Sequence, residues 1–493
     1  MEINLIDTAV QAYADLAQMT KKTQIAMESV VPDTREDIGR ILSVCPEICL
    51  KSKEWNGHGA TVTGETALAV LYINERGDGV SYLKTSQTFS VDFDCPFADE
   101  EPQIQLSWQI GPIQTRAVNP RKISADYEIR TEITVSRPFS LPVSQALPEE
   151  LKTPVHLQTQ GKDLVRLLSV CERSFSVNEQ LAFPEGASKP AEIVSRDIDY
   201  RIHEQEIVGS RLLIKGSAGC RLVYFPEGEQ IPAVQSFSVP FSQLIDLGTE
   251  EAKHAQVRIE ETSDYLDLIE TIEGQKLLNL ELHAVAQVRA FDRQSVSWIS
   301  DAYCNAMPCV CRYEDLNLAA ETQQRAVELH GEEDLELPEE YSELIGVFPL
   351  LTSSTQEQAA VTADLLCRSK DGKLFPMKRS VTLAAEQTVG PLGRVSCRIT
   401  GTDTREDGNR LCLRMTALAE GTEEAFETVR RVVGLDLDEE KLFDTSALPS
   451  ITAVWPHNET VWELAKMYHS SPESIREMNA DVTARPIFIP KQL

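Results

Sequence analysis

The sequence predicts a mainly β chain: three tandem, sandwich-like β repeats, preceded by a helix and closed by a small β-α-α-β module. Three observations predict this architecture. Apolar and polar residues alternate over long stretches, the chain resembles itself after a shift of 152 positions, and the apolar period lengthens after residue 449. The length of 493 residues accommodates three or four domains.

An amphipathic helix is predicted for residues 1–23. Its apolar residues recur three or four positions apart, which is the spacing of one helix face: Ile3, Ile6, Val10, Tyr13 and Leu16. Such a helix could dock on the first repeat or on a partner protein.

The repeats are predicted at residues 24–150, 151–313 and 336–420, with the third copy more diverged. The shift of 152 aligns three pairs in the first two copies: Gly57 with Gly209, Gly64 with Gly216, and Tyr72 with Tyr224. A slightly different shift matches Phe89-Ser90-Val91 to Phe237-Ser238-Val239. We interpret the aligned glycines as serving turns or close backbone approach rather than a ligand.

Each copy contains a stretch with the period of two that indicates a half-buried strand. Mostly apolar residues occupy every second position in 123–135, 278–288 and 411–419. Several strands per copy favour a sandwich.

Two connectors are predicted between and after these repeats. Residues 314–335 are rich in acidic side chains and predict either a flexible spacer or an acidic docking surface. Residues 421–448 mix acidic and aliphatic side chains and predict a second connector.

The charge balance disfavours several partners. Asp and Glu number 77 against 47 Lys and Arg, a formal charge of −30, whereas nucleic acids and anionic lipids attract clustered cations. The chain has no apolar run of transmembrane length, and residues 1–7 lack the features of a secretory signal. We therefore expect no nucleic acid, no transmembrane segment and a cytoplasmic location.

The sequence does not favour an enzyme. It contains no phosphate-binding Walker loop, no Gly-x-Ser-x-Gly elbow and no histidine pair at metal-ligand spacing. We expect no catalytic residue, no cofactor and no metal. Cys304, Cys309 and Cys311 form the one tight cysteine cluster, interpreted as buried thiols, with metal or redox use as the alternative.

Residues 449–493 have a helical period instead. Val461, Leu464, Ala465 and Tyr468 occupy one helix face, and Thr460-x-x-Glu463 fits a capping box. Ser471-Pro472 predicts the start of a second helix. Strands are predicted at 451–454 and 487–489.

This segment resembles a LysM module. Residues 459–468 match the family's Gly-Asp-Thr-Leu-Trp-x-Ile-Ala-x-x-Tyr motif, with Asn458-Glu459 in place of Gly-Asp. The resemblance implies a glycan groove between two loops: Asn458, Glu459, Thr460 and Val461, and Asn479, Ala480, Asp481 and Val482. It also implies a core of Trp462, Leu464, Ala465, Tyr468, Ile475 and Ile489. Trp455 could be a sugar platform, a protein-contact anchor or a packing residue.

The whole chain resembles the SPOCS-domain, LysM-bearing spore-coat morphogenetic proteins of endospore-forming bacteria. Val70-Leu71-Tyr72 and Asp301-Ala302-Tyr303-Cys304 carry this likeness. It implies a mother-cell scaffold at the forespore surface, docked to the coat's basement-layer ATPase (SpoIVA), another coat protein or an N-acetylglucosamine glycan. The alternatives are a phage-tail or baseplate structural protein and a plain peptidoglycan-binding protein.

Overall fold

The computed structural model describes residues 1–96, 102–148, 154–386, 392–444, 446, 449–483 and 485–491. The chain is mainly β, as predicted, with several separate sheets and two short helices among the described residues. The predicted boundary at 150/151 lies outside these residues, as does the end of the predicted second connector at 447–448. Neither helix is long and apolar enough to span a membrane.

One strand arrangement recurs three times. Each repeat begins with a long strand, continues into a three-stranded meander and shorter edge strands, and ends with a long strand that pairs with the first. Repeat 1 comprises β2 (Ile6–Val30), β3 (Ile38–Trp55), β4 (Gly59–Asn74), β5 (Val80–Asp94), β6 (Gln103–Ile110), β7 (Gln114–Asn119) and β8 (Lys122–Ala146).

The other two repeats follow the same order. Repeat 2 comprises β9 (Val155–Ala182), β10 (Pro190–Val208), β11 (Arg211–Pro226), β12 (Ala233–Asp246), β13 (His254–Glu270) and β14 (Lys276–Cys304). Repeat 3 comprises β15 (Cys309–Glu336), β16 (Tyr341–Ser354), β17 (Gln358–Ser369), β18 (Leu374–Ala385), β19 (Leu392–Asp407) and β20 (Arg410–Leu437). The short β1 (Glu2–Asn4) pairs with β20.

The long strands pair antiparallel from end to end. Ile6 lies opposite Ala146 in repeat 1, and Cys309 lies opposite Leu437 in repeat 3. The repeats therefore run over 6–146, 155–304 and 309–437. Repeats 1 and 3 begin earlier than the predicted copies and repeat 3 also ends later, whereas repeat 2 lies within the predicted 151–313. In each repeat the two long strands form an antiparallel ribbon. The half of this ribbon nearer the meander covers that repeat's core, and the distal half, farther from the meander, extends beyond the core to meet the other repeats.

The predicted helix at residues 1–23 is wrong, because these residues form β1 and most of β2. Its apolar residues do not share one face: Ile6 is exposed, and the other four enter four different clusters, with Ile3 beside Leu435. Val10 packs with Leu164 and Trp298, Tyr13 packs in the cluster around Phe291, and Leu16 borders the repeat-1 core. The three- and four-residue spacing thus reflects contacts with several repeats.

The predicted connectors are also wrong over their described strand segments. Residues 314–335 lie within β15 and residues 421–437 lie within β20, and the stretch 314–325 pairs with 421–431. Cations neutralise part of the acidic surface: the buried Arg431 guanidinium contacts the carboxylates of Glu314 and Asp7. The acidic composition belongs to a paired strand.

Two of the aligned glycines allow close packing, as predicted. A Cβ on Gly64 would lie 2.7 Å from the ring of Phe89, and a Cβ on Gly216 would lie 2.7 Å from the ring of Phe241. Phe241 is therefore the counterpart of Phe89 at the constant shift of 152, and the predicted match of Phe89 to Phe237 is wrong.

Each repeat has its own apolar core, and a further cluster joins the meanders. Leu71, Val223 and Leu366, one from each middle strand, are buried together there. The three repeats thus pack around a shared centre.

The C-terminal residues have the predicted β-α-α-β order: β21 (Ile451–Val454), α1 (Val461–Met467), α2 (Pro472–Met478) and β22 (Ile487–Pro490). The two strands pair antiparallel. Both helix starts are as predicted: Thr460 and Glu463 form a reciprocal capping box, and the Ser471 hydroxyl accepts from the Ser474 amide.

Candidate functional site: the C-terminal module and the inter-repeat cavity

The C-terminal module is docked on the repeats through Asp301, near the end of β14. The Asp301 carboxylate accepts a hydrogen bond from Trp462 Nε1 at 2.8 Å and from Lys466 Nζ at 2.9 Å to each oxygen. Partial burial alone would raise the pKa of Asp301, but donation by Trp462 and Lys466 outweighs it and lowers that pKa. The module is held to the repeats by a charged, hydrogen-bonded contact.

Tyr303 extends this contact into the module's interior. Its side chain is buried in the same cluster as Leu464 and Ile475 of the two helices. The Tyr303 hydroxyl donates to the carbonyl oxygen of Ser470 at 2.7 Å, and its ring lies 4.9 Å from that of Trp462. A repeat residue therefore completes the core of the module.

The structure brings together the predicted module core. Leu464, Ala465, Ile475 and Ile489 are buried, and Trp462 and Tyr468 pack against them partly buried. Sequence reasoning placed Trp462 in this core but missed its bond to Asp301. The Asp301-Ala302-Tyr303 motif was the one sequence feature that pointed to this region, but it does not indicate that Asp301 contacts Trp462.

The first predicted loop uses its polar groups within the chain. The Glu459 carboxylate accepts from the backbone amides of His457 and Asn458, at 2.7 and 3.2 Å. Thr460 is occupied by the capping box, and Val461 borders the module core. Asn458 remains exposed.

The second predicted loop is similar. The Asn479 amide donates to the carbonyl oxygens of Ile475 and Phe488 at 2.7 Å each and accepts from the Phe488 amide at 2.9 Å. Asp481 accepts from the amide and hydroxyl of Thr483. Ala480 is exposed and Val482 half-buried. Asn479 thus ties α2 to β22, and its amide is engaged internally.

A hydrogen bond links the chain segments next to the two loops, from Arg485 Nη2 to the carbonyl oxygen of His457 at 3.3 Å. Arg485 lies just before β22 in the chain. The bond joins a residue just before the first loop to one beyond the second.

An apolar face lies on the β21–β22 ribbon. It comprises Ile451, Trp455 and Phe488, which are 50%, 64% and 44% exposed. Strand alternation directs Ile451 and Ala453 to the same side, and Ala453 lies opposite Phe488. Trp455 directly follows the end of β21. Because of its exposure, Trp455 is not a buried core residue of the module.

The cluster of Cys304, Cys309 and Cys311 lies close to the contact between the C-terminal module and the repeats, where the Cys311 thiol also approaches Asp301. Cys304 is buried, and Cys309 and Cys311 are half-buried, all three within or bordering one apolar cluster. The Cys311 thiol donates to the carbonyl oxygen of Ala302, and the neighbouring Cys309 thiol lowers the pKa of Cys311. Across the described parts of the chain, no group of three or more His, Cys, Asp or Glu side chains is arranged to hold a metal ion.

A second candidate site is a cavity of about 790 Å³ lined by all three repeats, here called the inter-repeat cavity. Contacts between repeats hold its wall. Gln287 of repeat 2 bonds the amide and carbonyl of Leu106 in repeat 1. Arg398 of repeat 3 lies 3.2 Å from Asp199 of repeat 2. The volume is within the range of small-molecule sites.

Comparisons with known proteins identify no relative: no family model, no curated protein and no solved structure matches the chain.

Proposed function

We propose that the chain is a non-catalytic scaffold of the bacterial spore envelope that helps attach the coat to the forespore. Its C-terminal module, proposed to be of the LysM type, serves as the docking end for a coat protein, with a SpoIVA-like basement-layer ATPase as the favoured partner. The observation that carries the docking role is the exposed apolar face of Ile451, Trp455 and Phe488. Exposed clusters of large apolar side chains mark interaction sites.

The polar groups of the predicted glycan groove favour protein over glycan as the ligand. Sugars are bound by polar side chains that hydrogen-bond their hydroxyls and by aromatic faces. Glu459, Thr460 and Asn479 already satisfy hydrogen bonds within the chain. A protein surface needs only the apolar face, because burial of such side chains drives association.

The docked module supports a scaffold role. A force or constraint applied at the apolar face reaches the repeats through Asp301 and Tyr303. The repeats themselves share the apolar cluster around Leu71, Val223 and Leu366. These contacts suit a chain that joins one layer to another.

The experiment measures binding of the purified full chain to the coat ATPase and to N-acetylglucosamine oligomers. Trp455→Glu is expected to weaken ATPase binding at least about tenfold, since it places a charge at the centre of an apolar contact. Phe426→Glu is the matched control, because Phe426 is 56% exposed but lies on β20, away from the module.

Two results would contradict the proposal. One is micromolar binding of the oligomers together with unchanged ATPase binding by Trp455→Glu. The other is a fluorescent fusion that stays diffuse through sporulation, because an envelope scaffold must form a shell around the forespore.

A further inference from the structure

The charged residues lining the inter-repeat cavity are mostly committed to one another. Arg196 contacts Glu261 and Asp264, and Arg289 contacts Asp15 at 2.8 Å. Further ion pairs within 4.0 Å involve wall residues: Arg398 with Asp199 and Glu420, Arg258 with Glu260, Arg201 with Asp199, Arg325 with Glu423, and Glu132 with Arg130. These pairs leave little charge to receive a ligand.

Asp197 and Arg221 differ from the rest of the wall. They lie directly opposite each other on β10 and β11, yet they form no ion pair within 4.0 Å. Arg221 Nη2 instead donates to the carbonyl oxygen of Val347 in repeat 3, at 3.2 Å. Among the described residues this is the one acceptor for the five N–H groups of Arg221.

The Asp197 carboxylate receives no hydrogen bond or ion pair from any described residue. Asp197 lines the cavity and is exposed to it. Desolvation by the cavity wall raises the pKa of Asp197, and the Arg221 guanidinium partly offsets that rise. An anion and a cation thus face one cavity side by side, each short of partners.

We propose that the inter-repeat cavity binds a small zwitterion of the amino-acid class, with its ammonium group on Asp197 and its carboxylate on Arg221. Guanidinium groups bind carboxylates through two parallel hydrogen bonds, and a carboxylate accepts readily from an ammonium. A ligand with only one charge would satisfy one of the two residues and leave the other charge unpaired beside it. The two opposite charges therefore select for a molecule that carries both.

The arrangement has a cost for the unliganded fold. A carboxylate whose pKa is raised by folding destabilises the native state at neutral pH, where it must ionise. Replacing Asp197 by Asn is therefore expected to leave the empty protein as stable as the wild type or more stable. A residue that costs stability and faces a cavity is typical of a binding site.

The test is calorimetric titration of the full chain with each of the twenty free L-amino acids, and with methylamine and acetate as single-charge probes. At least one amino acid is expected to saturate the protein with a Kd below about 1 mM. Asp197→Asn and Arg221→Gln should each weaken that binding at least about tenfold. Methylamine and acetate should not saturate the site in the same range.

Glu204 and Lys215 supply the matched control. They are directly opposed on the same two strands, form an exposed ion pair at 2.9 Å, and lie outside the cavity wall. Glu204→Gln and Lys215→Gln should therefore leave amino-acid binding unchanged. A cooperative thermal unfolding transition shows whether each variant is folded. If Arg221→Gln is not folded, the proposal is judged on Asp197→Asn alone.

Three results would overturn the proposal. The first is that no amino acid saturates the wild type. The second is that methylamine or acetate binds as tightly as the amino acid. The third is that folded Asp197→Asn binds the amino acid as the wild type does.

Discussion

Asp301→Ala should release the C-terminal module from the repeats. The substitution removes the acceptor of three hydrogen bonds from the module, one from Trp462 and two from Lys466. It also removes the acceptor of bonds from the Ala302 amide, the Cys311 thiol and the Tyr313 hydroxyl within the repeats. It also leaves the partly buried Trp462 N–H without its acceptor. Tyr303 remains in place, so the apolar part of the contact is retained.

The magnitude follows from the exposure of the two partners. The Lys466 side chain is 43% exposed, so its ion pair with Asp301 contributes at most about 1 kcal/mol. The bond from the indole to a charged acceptor contributes about 1.5–3 kcal/mol, since its donor is left buried when the carboxylate is removed. Together these terms predict about 2–3 kcal/mol less stabilisation of the docked module.

The assay is amide hydrogen exchange of the full chain, followed over residues 459–479. Loosening of the module should speed exchange in both helices, while exchange in the repeat cores stays slow. Asp94→Ala is the control, because Asp94 is exposed at the end of β5 and its carboxylate accepts no hydrogen bond from a described residue. A double-mutant cycle with Lys466→Ala should give a coupling of about 0.5–1 kcal/mol.

The reasoning would be refuted if Asp301→Ala left helix exchange unchanged. It would also be refuted if the cycle with Lys466→Ala showed no coupling. Faster exchange throughout the repeats would instead mean that Asp301 stabilises repeat 2 and not the docking of the module.

Two further predictions concern stability, each measured by urea unfolding. Burial raises the pKa of Glu260 to about 7 from an ordinary 4.5, so native stability from its protonated form is present below about pH 4.5 and is lost as pH rises through 7. Glu260→Gln should therefore gain up to about 3 kcal/mol over the wild type at pH 8 and little at pH 4.5, and an equal gain at both would contradict this origin. Gly216→Ala should lose at least about 1–3 kcal/mol, because its Cβ would lie 2.1 Å from the Arg201 carbonyl oxygen. Gly209→Ala tests backbone strain alone, because Gly209 has a φ of +59° and open space around it, and it should lose about 1–2 kcal/mol of unfolding free energy. A larger loss for Gly209→Ala than for Gly216→Ala would contradict the view that close packing at Gly216 is the stricter constraint.

Local signals in the sequence were sufficient for the C-terminal module. The capping box of Thr460 and Glu463 and the proline after Ser471 act within one helical turn, so the residues that decide the helix starts are adjacent in sequence. The same holds for the alternation in 123–135, 278–288 and 411–419, where one strand face meets one core. The glycine roles at 64 and 216 were predicted because the repeats place them at equivalent positions.

The errors have two physical origins. Residues 1–23 lie in strands whose side chains enter several clusters, so their burial does not follow a period of two. Val10 and Tyr13 then mimic a helix face although they pack into separate clusters. An acidic strand such as β15 also resembles a connector when its cationic partners are distant in sequence.

The sequence alone determined the mainly β character, the repeated strands and the β-α-α-β order, because periodicity and capping depend on neighbouring residues. Only the tertiary structure decided that the Asp301 carboxylate accepts hydrogen bonds from Trp462 and Lys466, which lie more than 150 positions away in the sequence. It also decided that Asp197 and Arg221 face a cavity bounded by three repeats. Such contacts depend on how the long strands bring distant segments together, and no local pattern encodes that arrangement.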